Sequence, residues 1–343
     1  MNMDNNGTIC NLCGKEALLI EKSYQGYVEN SFYKIYFCSN CNVSFVPINE
    51  DVEIIYDLIY RYAEKVNGYN RYYRYLNTVK NEKDPLEYLA SSEETYWVVK
   101  DALSKIEKEK KDIEIIEIGS GFGYLTYALN KDGYNTLGMD ISQRAVEKAI
   151  QQFGSYYICA DVNEYSKSTP KQYDVAILTE VIEHIEKPVE FLRSVSSMLK
   201  KEGKIVISTP NKTIFSDDII WNTDSPPIHL WWFSKKSMLQ IGGLLDMKVE
   251  FTDFTNYYKS REVFASLAPY KPKPHFNSKG ILINPQDEIP IPYTNPIKAF
   301  FKKNKTLLYI VRKIKFGKYF YKFGKAGPFL GVIFEKNTIE ANI

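Results

Sequence analysis

The stretch Ile113-Glu114-Ile115-Ile116-Glu117-Ile118-Gly119-Ser120-Gly121-Phe122-Gly123 decides the fold of this chain. A short apolar run, typical of a buried strand, ends in an acid and then meets glycines at alternate positions. Glycines allow a sharp turn and let a ligand lie against bare backbone. The residues from Tyr124 to Leu129 can begin a helix. The stretch therefore predicts a strand, a nucleotide-type loop and a helix, although a glycine-rich turn can also be purely structural.

Three later segments repeat this pattern of an apolar strand that ends in polar residues. They are Tyr134–Asp140, Tyr156–Ala160 followed by Asp161, and Tyr173–Leu178 followed by Thr179 and Glu180. Parallel strands that end at one edge of a sheet place ligands along that edge. An acid at the tip of the second strand, here Asp140, can accept hydrogen bonds from ribose hydroxyls. The repetition favours a ligand-binding edge over a structural turn.

These strand ends, together with the run Thr179-Glu180-Val181-Ile182-Glu183-His184, resemble the class I S-adenosylmethionine-dependent methyltransferases. Within that class the sequence resembles the branch that contains the ubiquinone-pathway O-methyltransferases. The resemblance covers roughly residues 90–255 and the last strand near 328–336. A dinucleotide-dependent dehydrogenase is the competing interpretation, but the loop reads G-x-G-x-G rather than G-x-G-x-x-G.

The resemblance implies that S-adenosylmethionine is the cofactor and assigns its binding residues. The glycine loop would hold the methionine moiety, Asp140 the ribose, and Asp161 with Val162 the adenine. The full cofactor-binding set is Glu117, Gly119, Gly121, Gly123, Asp140, Ile141, Asp161, Val162 and Thr179.

Four of the five cysteines form two C-x-x-C pairs: Cys10, Cys13, Cys38 and Cys41. Two such pairs complete a tetrahedral thiolate site for zinc, and the residues between them read as strand and turn. Gly14 follows the first pair, where a left-handed residue helps the turn. The pattern predicts a structural zinc ribbon. Two disulfides are the alternative, which a reducing compartment disfavours.

A second metal site is predicted more weakly from Glu180, Glu183, His184 and His229. On a helical turn the first three would project to one side. The set resembles the divalent-metal site of small-RNA 3′-end methyltransferases, and its carboxylates and imidazoles suit Mg²⁺, Mn²⁺ or Fe²⁺. In the alternative interpretation, Glu183 and His184 are the catalytic residues without a metal, and His184 is a general base. A purely structural role also stays open.

Residues 290–327 contain ten Lys or Arg and no Asp or Glu, so this segment has a net charge of +10. The whole chain has a net charge of +2, so the remaining residues carry −8 (2 − 10). Apolar residues alternate with these cations, which predicts one or two basic amphipathic helices. Peripheral membrane contact through residues 297–325, a lid over the site, and attraction of nucleic acid are the three interpretations, of which nucleic acid is the weakest.

The predicted fold is α/β, a seven-stranded doubly wound Rossmann-like methyltransferase sheet with a small N-terminal zinc ribbon and a basic helical insertion before the last strand. That last strand is expected to insert antiparallel between the fifth and sixth strands.

Ser91-x-x-Glu94 predicts a capping box that opens a helix through about Glu109. The predicted boundaries are 1–48 for the ribbon, 49–112 for a helical Tyr-rich connector, 113–258 plus 328–337 for the methyltransferase domain, and 259–327 for the basic insertion or lid.

The composition of the 343-residue chain, with 44% hydrophobic and 25% charged residues, is that of a globular protein. No apolar run approaches the ~18 residues of a membrane-spanning helix. The N-terminus carries no signal-peptide pattern, so we expect a cytoplasmic protein that can be peripheral at the inner membrane face.

The predicted function is methyl transfer to a small molecule or to a glycan- or lipid-linked precursor, at oxygen or carbon. The alternatives are an RNA 2′-O-methyltransferase and a non-catalytic zinc-ribbon binding protein.

Overall fold

The computed structural model describes residues 7–47, 53–66, 68–215, 225–259, 261, 264–266, 272–283, 305–317 and 320–337. The strands in chain order are β1 (Gly7–Ile9), β2 (Glu16–Gln25), β3 (Phe32–Cys38), β4 (Val43–Phe45), β5 (Glu114–Ile118), β6 (Asn135–Asp140), β7 (Tyr157–Cys159), β8 (Tyr173–Thr179), β9 (Leu199–Pro210), β10 (Trp231–Trp232), β11 (Met247–Phe251), β12 (Phe264–Ser266), β13 (Phe320–Lys322) and β14 (Phe329–Lys336). The α-helices are α1 (Glu53–Arg61), α2 (Asn70–Thr78), α3 (Pro85–Ser92), α4 (Glu94–Leu103), α5 (Tyr124–Lys131), α6 (Gln143–Phe153), α7 (Val162–Ser168), α8 (Pro188–Ser197), α9 (Lys235–Leu245), α10 (Thr255–Tyr258) and α11 (Lys305–Phe316).

The main sheet has seven strands in the order β11-β14-β9-β8-β5-β6-β7. Strands β5 to β9 run parallel to one another, and β14 pairs antiparallel with both β9 and β11. The predicted doubly wound sheet and the late insertion of its last strand are confirmed. The carboxyl ends of β5, β6 and β8 therefore lie at one edge, where the predicted ligand-binding residues meet.

Both faces of the sheet are covered, which explains why its central strands are apolar runs rather than alternating ones. Ile115 packs into one hydrophobic core and its neighbour Ile116 into the other. Successive residues of a strand point to opposite faces, so each strand feeds both cores. Full burial of one such isoleucine stabilises the fold by about 1.5–3 kcal/mol.

The N-terminal ribbon is joined to the rest of the protein by its sheet as well as by its core. Its sheet has the order β1-β2-β3-β4-β10, so the last strand comes from residues far outside the predicted 1–48 module. Trp231 pairs with Phe45 and Trp232 with Ser44. The cysteines Cys10 and Cys38 belong to the same buried cluster as Ile116 and Ile118. The ribbon is thus packed on the methyltransferase sheet.

The predicted capping box at Ser91 and Glu94 is wrong. Ser91 lies in α3, where its hydroxyl donates to the carbonyl of Tyr88, and α4 begins after Glu93 without a side-chain cap. A serine near a helix end can bond backward to its own helix as well as forward, and here the backward bond is made. Helix α4 also ends at Leu103, before the expected Glu109. Helix α9, by contrast, begins with a full capping box between Ser234 and Ser237.

The basic segment contributes helix α11 and strand β13, which pairs with β12. Residues 297–304, 318 and 319 of the predicted membrane-contacting segment lie outside the described residues. Among the helices that the structure describes, none combines the length and apolar character needed to cross a bilayer.

Candidate cofactor and acceptor site

The glycine loop after β5 lies against the tip of β6. Gly119 and Gly121 have φ of +72° and +50°, values that L side chains rarely adopt. A Cβ on Gly121 would meet only the Tyr60 hydroxyl, 3.7 Å away, so the loop presents bare backbone to open space. The Gly121 N–H donates to Asp140 Oδ2 at 2.7 Å, and the Ser142 N–H donates to Oδ1 at 2.8 Å. These bonds fix the carboxylate beside the loop.

Glu117 is buried at the end of β5 and accepts a hydrogen bond from the Thr126 hydroxyl. Burial raises the pKa of Glu117 to about 8, with a further contribution from the Asp140 charge. Burial likewise raises the pKa of Asp140, against its backbone hydrogen bonds. Two buried acids beside open space are poised for a ligand that supplies hydroxyl or ammonium donors.

One cleft of about 1360 Å³ contains the loop and most of the predicted cofactor residues. Its lining includes Glu117, Gly119, Gly121, Asp140, Ile141, Asp161, Val162 and Thr179. Gly123 is not part of the lining. A Cβ there would lie 2.6 Å from the Tyr157 ring and 2.7 Å from the Ala149 Cβ, so this glycine serves helix packing. It also stands immediately before α5, as its N-cap residue, with φ of +81°.

Asp161 lies at the same cleft edge but already has backbone partners. Its Oδ1 accepts from the N–H groups of Asn163 and Glu164 at 2.8 and 3.0 Å, which caps α7. Val162, the first residue of that helix, is buried, while Ile141 is 75% exposed. An exposed isoleucine at a cleft rim, beside Asp140, offers an apolar contact for a flat ring.

Glu180 does not join the predicted second metal set. Both of its carboxylate oxygens accept from Arg71 Nη2, at 2.8 and 2.9 Å, and it also accepts from the Tyr72 hydroxyl. Glu180 also has a φ of +55°, in the left-handed region that L side chains rarely adopt. The guanidinium neutralises the carboxylate on one side of the cleft. Glu180 therefore lies apart from the predicted metal set because it pairs with Arg71. The local sequence around Glu180 does not reveal this partner.

The other three members of the set do come together. Ligand atoms of Glu183, His184 and His229 all lie within 4.8 Å of one another. Glu183 is fully buried and its Oε2 accepts from the Thr209 hydroxyl at 3.0 Å, while the rings of His184 and His229 are 4.7 Å apart between centroids. Two imidazoles and one carboxylate favour an ion such as Mn²⁺ or Fe²⁺ over Mg²⁺.

Burial lowers the pKa of His184 and, more strongly, that of His229, whose neighbours His184 and Arg71 add to the effect. Both rings are therefore neutral near pH 7. His184 donates from Nδ1 to the carbonyl of Ile228 at 2.8 Å. This bond leaves Nε2 of His184 with its lone pair, as a metal ligand or a general base requires.

The four ribbon cysteines form the other cluster of metal-ligand atoms in the described part of the chain. Their sulfurs lie within 4.8 Å of one another, and those of Cys13 and Cys38 are 3.6 Å apart. A zinc tetrahedron with Zn–S bonds of ~2.3 Å has sulfurs ~3.8 Å apart, so the set fits zinc. Gly14 has φ of +68°, as expected, and its N–H donates to the Cys10 carbonyl at 2.8 Å.

Several cleft residues were not identified from the sequence. Arg71, Tyr60 and Tyr72 come from α1 and α2 and cover the loop and Glu180. The density of tyrosines in the connector was a signal, but packing against the sheet was the favoured interpretation of it. His275 and Lys273 also line the cleft, and nothing in their local sequence marked them.

Comparison with known proteins agrees with this geometry. Residues 93–250 match the protein family described as a methyltransferase domain. Residues 93–250 are a class I methyltransferase domain. The methyltransferase domain contains the glycine loop, Asp140 and Glu183, and the class binds S-adenosylmethionine as methyl donor.

Relatives of the methyltransferase domain include curated ubiquinone biosynthesis O-methyltransferases. The protein of Rickettsia bellii is 37% identical over 108 residues, which are 30% of this chain and 44% of the relative. The protein of Aliivibrio fischeri is 27% identical over 108 residues, which are 30% of this chain and 46% of the relative. The chain thus spans less than half the length of these relatives. A solved S-adenosylmethionine-dependent methyltransferase from Archaeoglobus fulgidus aligns with 70% of this chain and 94% of its own, at 19% identity and a TM-score of 0.42.

Proposed function

We propose that this protein transfers the methyl group of S-adenosylmethionine to a hydroxyl or a carbon of a small molecule, or of a glycan- or lipid-linked precursor. The observation that carries the proposal is that the glycine loop, Asp140, His184 and His229 all line one cleft. The bare backbone at Gly121 and the fixed Asp140 carboxylate fit the cofactor. S-adenosylmethionine, when bound, supplies an electrophilic methyl carbon on a sulfonium.

The residues of the chain divide into two groups along the cleft. Glu117, the loop from Gly119 to Gly121, and Asp140 would hold the cofactor. His184 and His229 would bind and activate the acceptor, and the fully buried Glu183 beside them would help to hold a cation. An acceptor hydroxyl must lose a proton, and the Nε2 lone pair of His184 can take it, or a divalent cation on the three side chains can lower its pKa. Most of the acceleration would come from alignment of the reactants.

Two related proposals concern the rest of the chain. The division into a ribbon, a Tyr-rich connector, a split methyltransferase domain and a basic insertion is retained, with the ribbon holding structural zinc. The basic insertion at 259–327 would cover the acceptor or contact an anionic membrane. Helix α11 supports membrane contact because Ile310, Val311 and Ile314 are 46%, 40% and 78% exposed beside Lys313 and Lys315.

The test begins with calorimetry of S-adenosylmethionine and S-adenosylhomocysteine, because absence of binding would overturn the proposal and favour a non-catalytic protein. Release of S-adenosylhomocysteine is then followed with sugar nucleotides, phenols, polyprenyl-linked sugars and short RNA as acceptors. Turnover with one of the first three classes supports the proposal, whereas turnover with RNA alone contradicts it. The same assay with added Mn²⁺ or a chelator separates a metal-assisted mechanism from a metal-free His184 base.

A further inference from the structure

The tip of the β2–β3 hairpin in the ribbon holds the start of a segment that lines the acceptor side of the cleft. We define residues 225–232 as the bridging segment. Tyr27 is fully buried at the hairpin tip, and its N–H donates to the carbonyl of Pro226 at 2.9 Å. The first half of the bridging segment is thus tied to the ribbon.

The second half of the bridging segment is tied to the ribbon as well. The Val46 N–H donates to the Leu230 carbonyl at 2.9 Å, and Trp231 pairs with Phe45 across β10 and β4. On its other side, the Leu230 N–H donates to the Glu183 carbonyl at 2.8 Å. The bridging segment therefore lies between the ribbon and the turn that carries Glu183 and His184.

The bridging segment fixes the chemistry of both histidines. It contains His229, and the carbonyl of Ile228 accepts the Nδ1 proton of His184 at 2.8 Å. The Ile228 side chain packs in one buried cluster with Tyr27, Ile59, Val66 and Phe276. Because Nδ1 is held as the donor, Nε2 carries the lone pair. A displacement of Ile228 would release this tautomer and move His229.

Tyr27 holds a second part of the cleft lining in the same way. Its carbonyl accepts from the N–H groups of His275 and Phe276 at 2.8 and 3.2 Å. Its ring stacks on the His275 ring with 4.4 Å between centroids. Pro274 and His275 also line the cleft. One ribbon residue thus contacts two lining segments that are distant from each other in sequence.

We propose that the zinc ribbon is a wall of the acceptor site and that Tyr27 is a positioning residue for His184 and His229, acting through Ile228. The inference rests on the proposed function for the meaning of "acceptor", but its structural content does not depend on the acceptor. The ribbon then has a role beyond stability, because its metal-bound fold sets the geometry of the acceptor-activating side chains.

The experiment compares the full-length wild type with Tyr27→Ala, Tyr27→Phe and Tyr24→Ala. Tyr24 is a matched control because it is a buried ribbon tyrosine that packs in a different cluster. Zinc content shows whether each ribbon is folded, and S-adenosylhomocysteine calorimetry reports the cofactor side. Amide hydrogen exchange of residues 225–229 reports the bridging segment, and Mn²⁺ titration followed by electron paramagnetic resonance reports the histidine cluster.

Tyr27→Ala is expected to keep its zinc and wild-type affinity for S-adenosylhomocysteine, to exchange faster at 225–229, and to bind Mn²⁺ about tenfold more weakly, the scale of changes in the outer shell of a metal site. Tyr27→Phe, which keeps the ring, should restore wild-type exchange, and Tyr24→Ala should match the wild type at 225–229. Unchanged exchange in Tyr27→Ala, or equal acceleration in Tyr24→Ala, overturns the inference.

Two further measurements keep the inference testable. If Tyr27→Ala loses its zinc, the wild type is compared with and without a zinc chelator, and faster exchange confined to residues 7–47 counts against the inference. If the wild type binds no Mn²⁺, exchange at 225–229 decides alone. Failure of the wild type to bind S-adenosylhomocysteine would contradict the proposed function. The exchange at residues 225–229 would still test the inference.

Discussion

Arg71 and Glu180 lie 109 residues apart in the chain and form a two-point ion pair at the edge of the cleft, with Nη2 of Arg71 at 2.8 and 2.9 Å from the two carboxylate oxygens. Glu93 lies 3.5 Å from Nε on the other side of the same guanidinium. The pair connects helix α2 of the connector to the end of β8 in the sheet. The connector is therefore fastened to the site by charge as well as by its tyrosines.

Arg71→Met should destabilise the protein by about 2–3 kcal/mol, because loss of one partner leaves the largely buried Glu180 carboxylate uncompensated. Urea denaturation measures the change from the shift of the midpoint. Arg61→Met is the matched control, since Arg61 forms an exposed pair with Asp57, and we expect less than ~0.5 kcal/mol there. Equal losses of unfolding free energy in the two variants would show that the cleft pair contributes no more to stability than the exposed pair.

Asp140→Ala should weaken S-adenosylmethionine binding by roughly 10–100-fold, the range for loss of hydrogen bonds to a charged group. Isothermal titration calorimetry measures the affinity. Asp174→Asn is the control, because Asp174 is also buried but lies at the opposite end of β8, at its second residue. Wild-type affinity in Asp140→Ala would remove this carboxylate from the cofactor site.

Cys38→Ser should lower the zinc content of the purified protein from about one ion to nearly none, because a four-thiolate site loses most of its affinity with one ligand. Cys159→Ser provides the comparison, since Cys159 is exposed and outside the cluster. Elemental analysis gives the stoichiometry. Retained zinc in Cys38→Ser, or loss in Cys159→Ser, would contradict the assignment.

The stability of the protein should depend on Asp174 in the acid range. Burial alone would raise its pKa, but hydrogen bonds from Lys108, Lys200 and the Glu114 N–H hold the pKa below its ordinary value. A carboxyl with a depressed folded pKa stabilises above its unfolded pKa of about 3.9 and loses this contribution as the pH falls through the folded value.

Asp174→Asn should therefore cost about 1–3 kcal/mol at pH 7, and the difference from the wild type should shrink below about pH 4. Denaturant titrations at pH 7, 5 and 3.5 measure the difference. A gap that stays constant over this range would mean that the loss arises from packing and not from the charge of Asp174.

Ile314→Glu should reduce sedimentation of the protein with vesicles of phosphatidylglycerol by several fold, because it places a charge on the exposed apolar face of α11. Vesicles of phosphatidylcholine should bind weakly, since the basic side chains find no anionic surface there. Leu239→Glu changes an exposed leucine on another helix, α9, and should have no effect. Equal binding of wild type and Ile314→Glu would remove α11 as the contact.

The main sheet could be predicted from the sequence because its signals are local. Each central strand is a short apolar run followed by a polar residue, and the run is apolar throughout because both faces are covered. The insertion of β14 was predicted from the resemblance. No local sequence pattern indicates that a strand will pair antiparallel with strands so far away in the chain. The capping box at Ser91 failed because a serine near a helix end has two possible partners.

The cleft could be predicted only in part for a related reason. The roles of Gly119, Gly121 and Asp140 depend on backbone geometry and on position at the end of a strand. The sequence pattern indicates both. Arg71 reached Glu180 through the packing of a connector helix, and the sequence contains many other cations that could have done so. The strand β10 is two residues long, too short for any periodicity, yet it joins the ribbon to the site.

The antiparallel strand β14 has a consequence for biosynthesis. It occupies the position between β9 and β11, although the ribosome makes it after both of them. Until residues 329–336 emerge, the nascent chain carries two unsatisfied strand edges that can recruit other polypeptides. Cellular yield should therefore depend on how quickly translation proceeds from β11 through the lysine-rich stretch, and on chaperones that shield those edges meanwhile.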